Sequence, residues 1–187
     1  MSETASAPSR TRPVRGPLKK SSLENAALYY LERHASSVDG LRRVLARRVD
    51  RAAREERCDR QEATGWVEEI VARFAASGLV DDKVFAEAKV ASRRRRGESA
   101  NRIQQALRQK GVERQIVDGA LAGQDGDDRA GAELEAAWRL ARRRRLGPYR
   151  PPEARQEMRQ RDLGSLARAG FDRGTATAVI DAEMPPE

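Results

Sequence analysis

Apolar residues along this chain fall at three- and four-residue intervals, in short stretches separated by glycine, serine and aspartate, the pattern of successive amphipathic helices. The clearest unit covers residues 78–121. Asp81 or Asp82 can accept hydrogen bonds from the free N–H groups of a first turn, so a helix is expected to start there. Val84, Phe85, Ala88 and Ala91 give it one apolar face, and Gly97 ends it. Ser99 is the next cap, followed by Ala100, Ile103 and Leu107, with Arg102, Gln105, Arg108 and Gln109 left to solvent. Gly111 stands where a left-handed closing residue is needed, and Val112, Ile116, Val117, Ala120 and Leu121 form a third stripe. Helices this short are marginal alone in water, so the three are expected to bury their stripes against one another.

The preceding segment reads the same way. Ser21 and Glu24 have the spacing of a capping box, and Ala27, Leu28 and Leu31 supply the stripe of a first helix that stops before Ser36. Ser37 caps a second, with Val38, Leu41, Val44, Leu45 and Val49 on one face. Asp59 and Glu62 open a third, whose stripe of Ala63, Trp66, Val67, Ile70, Val71 and Phe74 ends at Gly78. Trp66 and Phe74 lie in phase with that stripe and read as core rather than as ligand platforms.

The register of these signals repeats. A shift of 62 positions carries Arg33, Ser37, Leu41 and Leu45 onto Arg95, Ser99, Ile103 and Leu107. A shift of 59 carries Leu107, Gly111, Val112, Ala120 and Leu121 onto Leu166, Gly170, Phe171, Val179 and Ile180. Three copies therefore tile the chain at residues 21–77, 78–123 and 128–184. The first 20 residues form a basic tail too poor in large apolar side chains to offset the entropy of ordering. In the third copy, LGPYRPPEARQ places Pro148, Pro151 and Pro152 in the first connection, since they cannot lie inside a helix. Leu134, Ala137, Trp138 and Ala141 precede that connection; Met158, Leu163 and Leu166 follow it. The run Asp125, Gly126, Asp127, Asp128 reads as a turn and helix start joining copies two and three, and it lacks the glycine pattern and terminal glutamate of a calcium loop. The expected fold is all-α: three tandem three-helix repeats in an elongated, curved solenoid.

Composition narrows the function. Charged residues make up 35% of the 187 and aromatics 4%, which suits shallow helical cores better than one deep core. Of the 37 basic residues only Lys19, Lys20, Lys83, Lys89 and Lys110 are lysine, and the net charge of +8 favours polyanions or an acidic protein surface as partners. Cys58 and His34 are the sole residues of their types, so an intramolecular disulfide is impossible and neither a thiolate metal site nor a nucleophile–base pair is indicated. Glycine-rich phosphate loops and paired catalytic carboxylates are missing too, and a helix cap accounts for Asp81 and Asp82. A non-catalytic chain without cofactor or metal is expected. No run of about 18 apolar residues and no apolar signal core occurs, so a cytoplasmic protein without a membrane span is expected.

Two polar features stand out: Arg93, Arg94, Arg95 and Arg96, and Arg142, Arg143, Arg144 and Arg145. Each run closes the first helix of its copy, where the dipole favours cations. Successive helix positions point about 100° apart, so the dipole alone does not call for four consecutive arginines. In equivalent copies the runs are expected to recur along one side of the stack, with Arg42, Arg43, Arg47 and Arg48 of the first copy as further partner or DNA contacts.

The phrases ALYYLERHASSVDGLRRVLARR, VARFAASGLVDDKVFAE, RRRRGESANRIQQALRQKGV and RAGFDRGTATAVID, in this order and spacing, resemble the RecX family, which regulates the RecA recombinase. The resemblance covers about residues 23–182, and the proline-rich insertion and basic tail depart from it. It implies three tandem three-helix repeats and a monomer that binds the RecA–DNA filament. The implied effect is inhibitory, restraining filament growth, ATP hydrolysis, strand exchange and the co-protease activity behind the SOS response, with single- or double-stranded DNA as a further partner. The competing expectation is a stand-alone, non-specific DNA-binding helical protein, favoured by the charge but lacking a helix with an evident base-reading set.

Overall fold

The structure, a computed structural model, describes residues 16–185. Among them the chain is all-helical, with nine α-helices: α1 (Lys20–Leu31), α2 (Val38–Arg54), α3 (Arg60–Ala76), α4 (Asp82–Arg95), α5 (Ala100–Arg108), α6 (Arg114–Asp125), α7 (Arg129–Arg144), α8 (Pro152–Arg168) and α9 (Arg173–Ile180). A 3-10 turn at Gly147–Tyr149 joins α7 to α8. They form three tandem three-helix repeats, each with its own aliphatic core. Leu23, Leu41, Leu45, Ile70 and Phe74 belong to the first core, Val90, Ile103, Leu107 and Leu121 to the second, and Leu140, Leu166, Phe171 and Val179 to the third. Val80, on the far side of Gly78, still packs into the first core.

Helix starts follow the capping residues. Ser37 accepts from Gly40 N, Asp59 from Glu62 N, Ser99 from Arg102 N and Asp128 from Gly131 N, each satisfying one of the four free donors of a first turn. Asp81 caps α4, accepting from Lys83 N at 2.7 Å and Val84 N at 3.1 Å. Ser21 does not cap α1: the helix begins at Lys20 without a side-chain cap, so Ser21 lies within the first turn. Residues 1–15 of the expected tail lie outside the described residues. Gly16–Lys19, also assigned to that tail, is tied down, with Leu18 N donating to Arg57 O and Arg57 Nη1 to Gly16 O. Pro152 does sit in a helix, at the first turn of α8, where its missing N–H costs no intrahelical bond. Asp125 is the last residue of α6 rather than part of a turn.

Two stripes are rotated from expectation. In α1 the buried residues are Leu23, Ala26 and Ala27, while Leu28 is 41% exposed. In α4 they are Phe85, Ala86, Val90 and Arg94, while Val84 is 61% exposed and Ala88 also faces solvent. Small apolar residues surround both helices, so periodicity alone leaves the phase to neighbouring helices.

Neighbouring repeats dock by one device used twice. Ser37 Oγ donates to Lys110 O at 2.5 Å and Ser99 Oγ to Ala169 O at 2.7 Å, so the serine that caps the second helix of one repeat also ties it to a turn of the next. Beside each serine a carboxylate of the following repeat accepts from the first helical N–H: Asp82 from Val38 N at 2.8 Å, Glu133 from Ala100 N at 3.0 Å. Gly111 (φ +78°) packs directly against the Asp39 side chain, leaving no space for a Cβ. Arg43 Nη1 reaches Gln109 O at 2.8 Å, and Asn101 Nδ2 reaches Gly170 O at 3.1 Å.

The junctions differ on their other side. At Gly97 (φ +69°) a Cβ would lie 2.7 Å from Ala136 O and 2.9 Å from Leu140 N, so the end of α4 lies flush on α7. The equivalent position 62 residues earlier is Ala35, which carries a Cβ. There the first junction leaves an open cleft of about 250 Å³ bordered by Leu31, His34, Ala35, Val84, Phe85 and Ala88.

Candidate interaction surface

The runs at 93–96 and 142–145 close α4 and α7, and docking brings their ends together. Arg143 Nη1 donates to Arg96 O, and Arg139 Nη1 to Arg94 O at 3.2 Å. Arg95 and Arg96 are exposed beside Arg142 and Arg143. Arg93 is half-buried and paired with Glu98 at 2.6 Å. Arg144 donates to Ser165 Oγ at 3.0 Å. Arg145 closes α7 in the left-handed region at φ 54°.

Arg94 does not belong to this surface. It is 4% exposed, in phase with Val90 and Ala86 one and two turns before it. Its Nε and Nη2 hold Asp125 at 2.9 and 2.5 Å, and its Nη1 holds Glu133 at 2.7 Å and Glu98 O at 3.1 Å. Burial alone would lower its pKa, but the hydrogen bonds to Asp125 and Glu133 outweigh it and the net shift is upward. Arg94 therefore links α4, α6 and α7 across the second junction. Sequence reasoning placed it on the solvent side with its neighbours; the available signal was its four-residue spacing from Val90.

The first-repeat arginines do not join the patch as a group. Arg42 is bound to Glu68 at 3.0 Å and Asp39 at 3.3 Å, and Arg43 to Asp39 at 2.5 Å. Arg47 and Arg48 are exposed and line a separate groove of about 710 Å³ with Arg51 and Arg57. Among the described residues no group of three or more His, Cys, Asp or Glu is placed to hold a metal ion, and no helix is long and apolar enough to cross a membrane. His34 stacks at a tilt on Tyr30 with ring centroids 5.0 Å apart, and Cys58 is half-buried against the first core.

Three small cores joined by neighbour-to-neighbour clasps, with arginines concentrated at helix ends, define a helical-repeat scaffold. Residues 81–121 match the family model described as the second three-helix domain of RecX. The regulatory protein RecX of Myxococcus xanthus is 45% identical over 161 residues, covering 86% of this chain and 84% of the relative. That of Mycolicibacterium vanbaalenii is 39% identical over 132 residues, covering 66% and 70%. The chain belongs to the RecX family of regulatory proteins. A crystal structure of regulatory protein RecX superposes with a TM-score of 0.62 at 21% identity, covering 87% of this chain and 72% of the other. RecX from Lactobacillus salivarius superposes with a TM-score of 0.58 at 19% identity, covering 88% and 96%; at these identities the likeness concerns the fold.

Proposed function

We propose that the chain is a non-catalytic regulator of the RecA recombinase, mainly inhibitory, which binds the RecA–DNA filament. Its binding restrains filament growth, ATP hydrolysis, strand exchange and SOS co-protease activity in the cytoplasm. The observation that carries this reading is the 45% identity to a regulatory protein RecX across most of both chains. Physical support comes from the stack of repeats, which offers a long surface able to touch neighbouring filament subunits. A monomer engaging two subunits gains effective concentration, so modest contacts suffice to hinder subunit exchange. The contacts proposed are the exposed arginines of the two runs, Arg95, Arg96, Arg142 and Arg143, with Arg47 and Arg48 as a second group.

The test is RecA ATP hydrolysis on single-stranded DNA during titration with this protein, beside a binding titration on DNA alone. Hydrolysis is expected to fall at concentrations well below those that coat the bare DNA. A fall only once the DNA is covered assigns the effect to competition for DNA.

A further inference from the structure

The groove of the first repeat is lined by Arg47, Arg48, Arg51 and Arg57, by no carboxylate, and by one hydroxyl side chain, that of Ser22. Arg57 is occupied, held by Glu55 at 2.8 Å and by Gly16 O at 3.0 Å. Arg47, Arg48 and Arg51 are exposed and, among the described residues, form no ion pair, unlike Arg42 and Arg43 of the same helix, which Asp39 and Glu68 hold. Val44, Arg47, Arg48 and Arg51 stand three and four positions apart, so they share the face of α2 that borders the groove. Across from them, Leu23 is fully buried in the first core and fixes how α1 lies on α2, which leaves Ser22 exposed in the groove wall.

Three unpaired guanidinium groups on one helix face call for an anion, and their forks match phosphate oxygens in pairs. The surroundings of Ser22 favour an anion carried by the chain itself. Gly16–Lys19 runs into α1 without helical structure, and Lys19 and Lys20 precede the serine by three and two positions, a basic approach that an acidic substrate cleft attracts. The first turn of α1 has neither a side-chain cap nor an acidic residue, so it opens at low cost and can present the serine to an enzyme. We propose that Ser22 is a phosphorylation site for a protein serine/threonine kinase, and that Arg47, Arg48 and Arg51 clamp the phosphate in the groove. In the transfer, Ser22 Oγ bonds to the γ-phosphorus of a nucleoside triphosphate, the bond to the bridging oxygen breaks, the nucleoside diphosphate leaves, and the hydroxyl proton passes to the kinase's base. The new charge pairs with the arginines and supplies the anion that the first turn lacks. A clamped phosphate withdraws Arg47 and Arg48 from partner contact; that consequence alone rests on the recombinase reading, and the test needs no recombinase.

The experiment has two arms. In the first, the full chain, Ser21→Ala and Ser22→Ala are incubated with an extract of the cells that produce the chain and a γ-labelled nucleoside triphosphate. Label is expected on Ser22 by peptide mass spectrometry, kept in Ser21→Ala and lost in Ser22→Ala. No label, or label on other residues only, overturns the proposal. In the second, phosphoserine is installed at position 22 during translation and its phosphorus resonance is followed through the second ionisation, near pH 6. The midpoint is expected to lie about half a unit or more below that of the same chain in urea, and Arg48→Ala/Arg51→Ala to return it to the urea value. The Nε–Hε resonances of Arg47, Arg48 and Arg51 are expected to differ between the phosphorylated and unmodified chains with all arginines intact. A phosphate that titrates as in urea, or arginine resonances that stay still, overturns the clamp. Inorganic phosphate shifting the same resonances in an unmodified chain that takes no label assigns the groove to a free anion and overturns the modification.

Discussion

At the scale of single residues, the same amino acid performs unlike tasks a few positions apart. Arg95 and Arg96 are exposed, whereas Arg94 neutralises the buried carboxylate of Asp125 and the half-buried one of Glu133 and joins three helices. Removing one member of a buried ionic set strands the others, at a typical cost of about 3–5 kcal/mol. Arg94→Ala is therefore expected to lower the urea unfolding free energy by about 3 kcal/mol, and Arg94→Lys to recover little of it, because one ammonium cannot reproduce the fork on Asp125 together with the bond to Glu133. Arg95→Ala is expected to change it by less than about 0.5 kcal/mol. Arg145 holds a left-handed backbone that a side chain disfavours by about 1–2 kcal/mol, so Arg145→Gly, even with its more flexible unfolded chain, is expected to stabilise by about 0.5 kcal/mol.

Two aspartates give opposite responses to acid. Burial alone would raise the Asp162 pKa, but the bonds from Arg150 and Gly147 N hold it below the usual carboxylate value. Its contribution is present above the unfolded pKa and lost as pH falls through the folded one. Asp82 is pushed upward, first by burial and then by Asp81, Asp39 and Glu113, against the bond from Val38 N. Its folded form binds a proton more readily, so its contribution declines as pH rises from the unfolded pKa through the raised one. Unfolding midpoints measured across the acidic range are expected to lose part of their decline toward low pH in Asp162→Asn, whereas Asp82→Asn steepens it.

At the scale of elements, Ser37 and Ser99 each cap a helix and bind the next repeat with one hydroxyl. Loss of a cap costs about 1 kcal/mol, and a buried carbonyl left without a donor about 1–3 kcal/mol. Ser99→Ala is expected to cost about 2–3 kcal/mol in urea unfolding, and Ser37→Ala less, because the bond to Ala169 O is fully buried while that to Lys110 O is partly exposed. The capping role was readable in the sequence from position alone. So were the helices opened by Asp59 and Asp81, because caps, glycines and periodicity act within one element. The second role of each serine was not, since its acceptor lies about seventy residues away. Phase was lost for the same reason in α4, where Val84 and Ala88 face solvent and Ala86 and Val90 face inward. Of the candidate surface, the positions of the arginine runs were legible, but not which members turn inward. Arg94 requires Asp125 and Glu133, 31 and 39 positions on.

At the scale of the whole molecule, three small cores in series make a chain of repeats whose character is set by its joints as much as by its cores. The second joint is fastened on both sides, by Ser99 on one and by Gly97, Arg94 and Arg139 on the other. The first is held by Ser37 and its neighbours, with Val80 reaching into the first core beside the cleft at Ala35 and, among the described residues, no clasp like that of Gly97 and Arg94 on that side. A stack secured along one edge swings like a door, whereas one secured along two behaves as a beam. Spin labels at Gln61 and Gln105, and at Gln105 and Gln156, in a Cys58→Ser background, are expected to give a broader distance distribution for the first pair. Arg94→Ala is expected to widen the second pair toward it. The last two repeats are then a stiff arm and the first a leaf hinged on its end, so bending falls at Ala35 rather than being shared evenly along the stack.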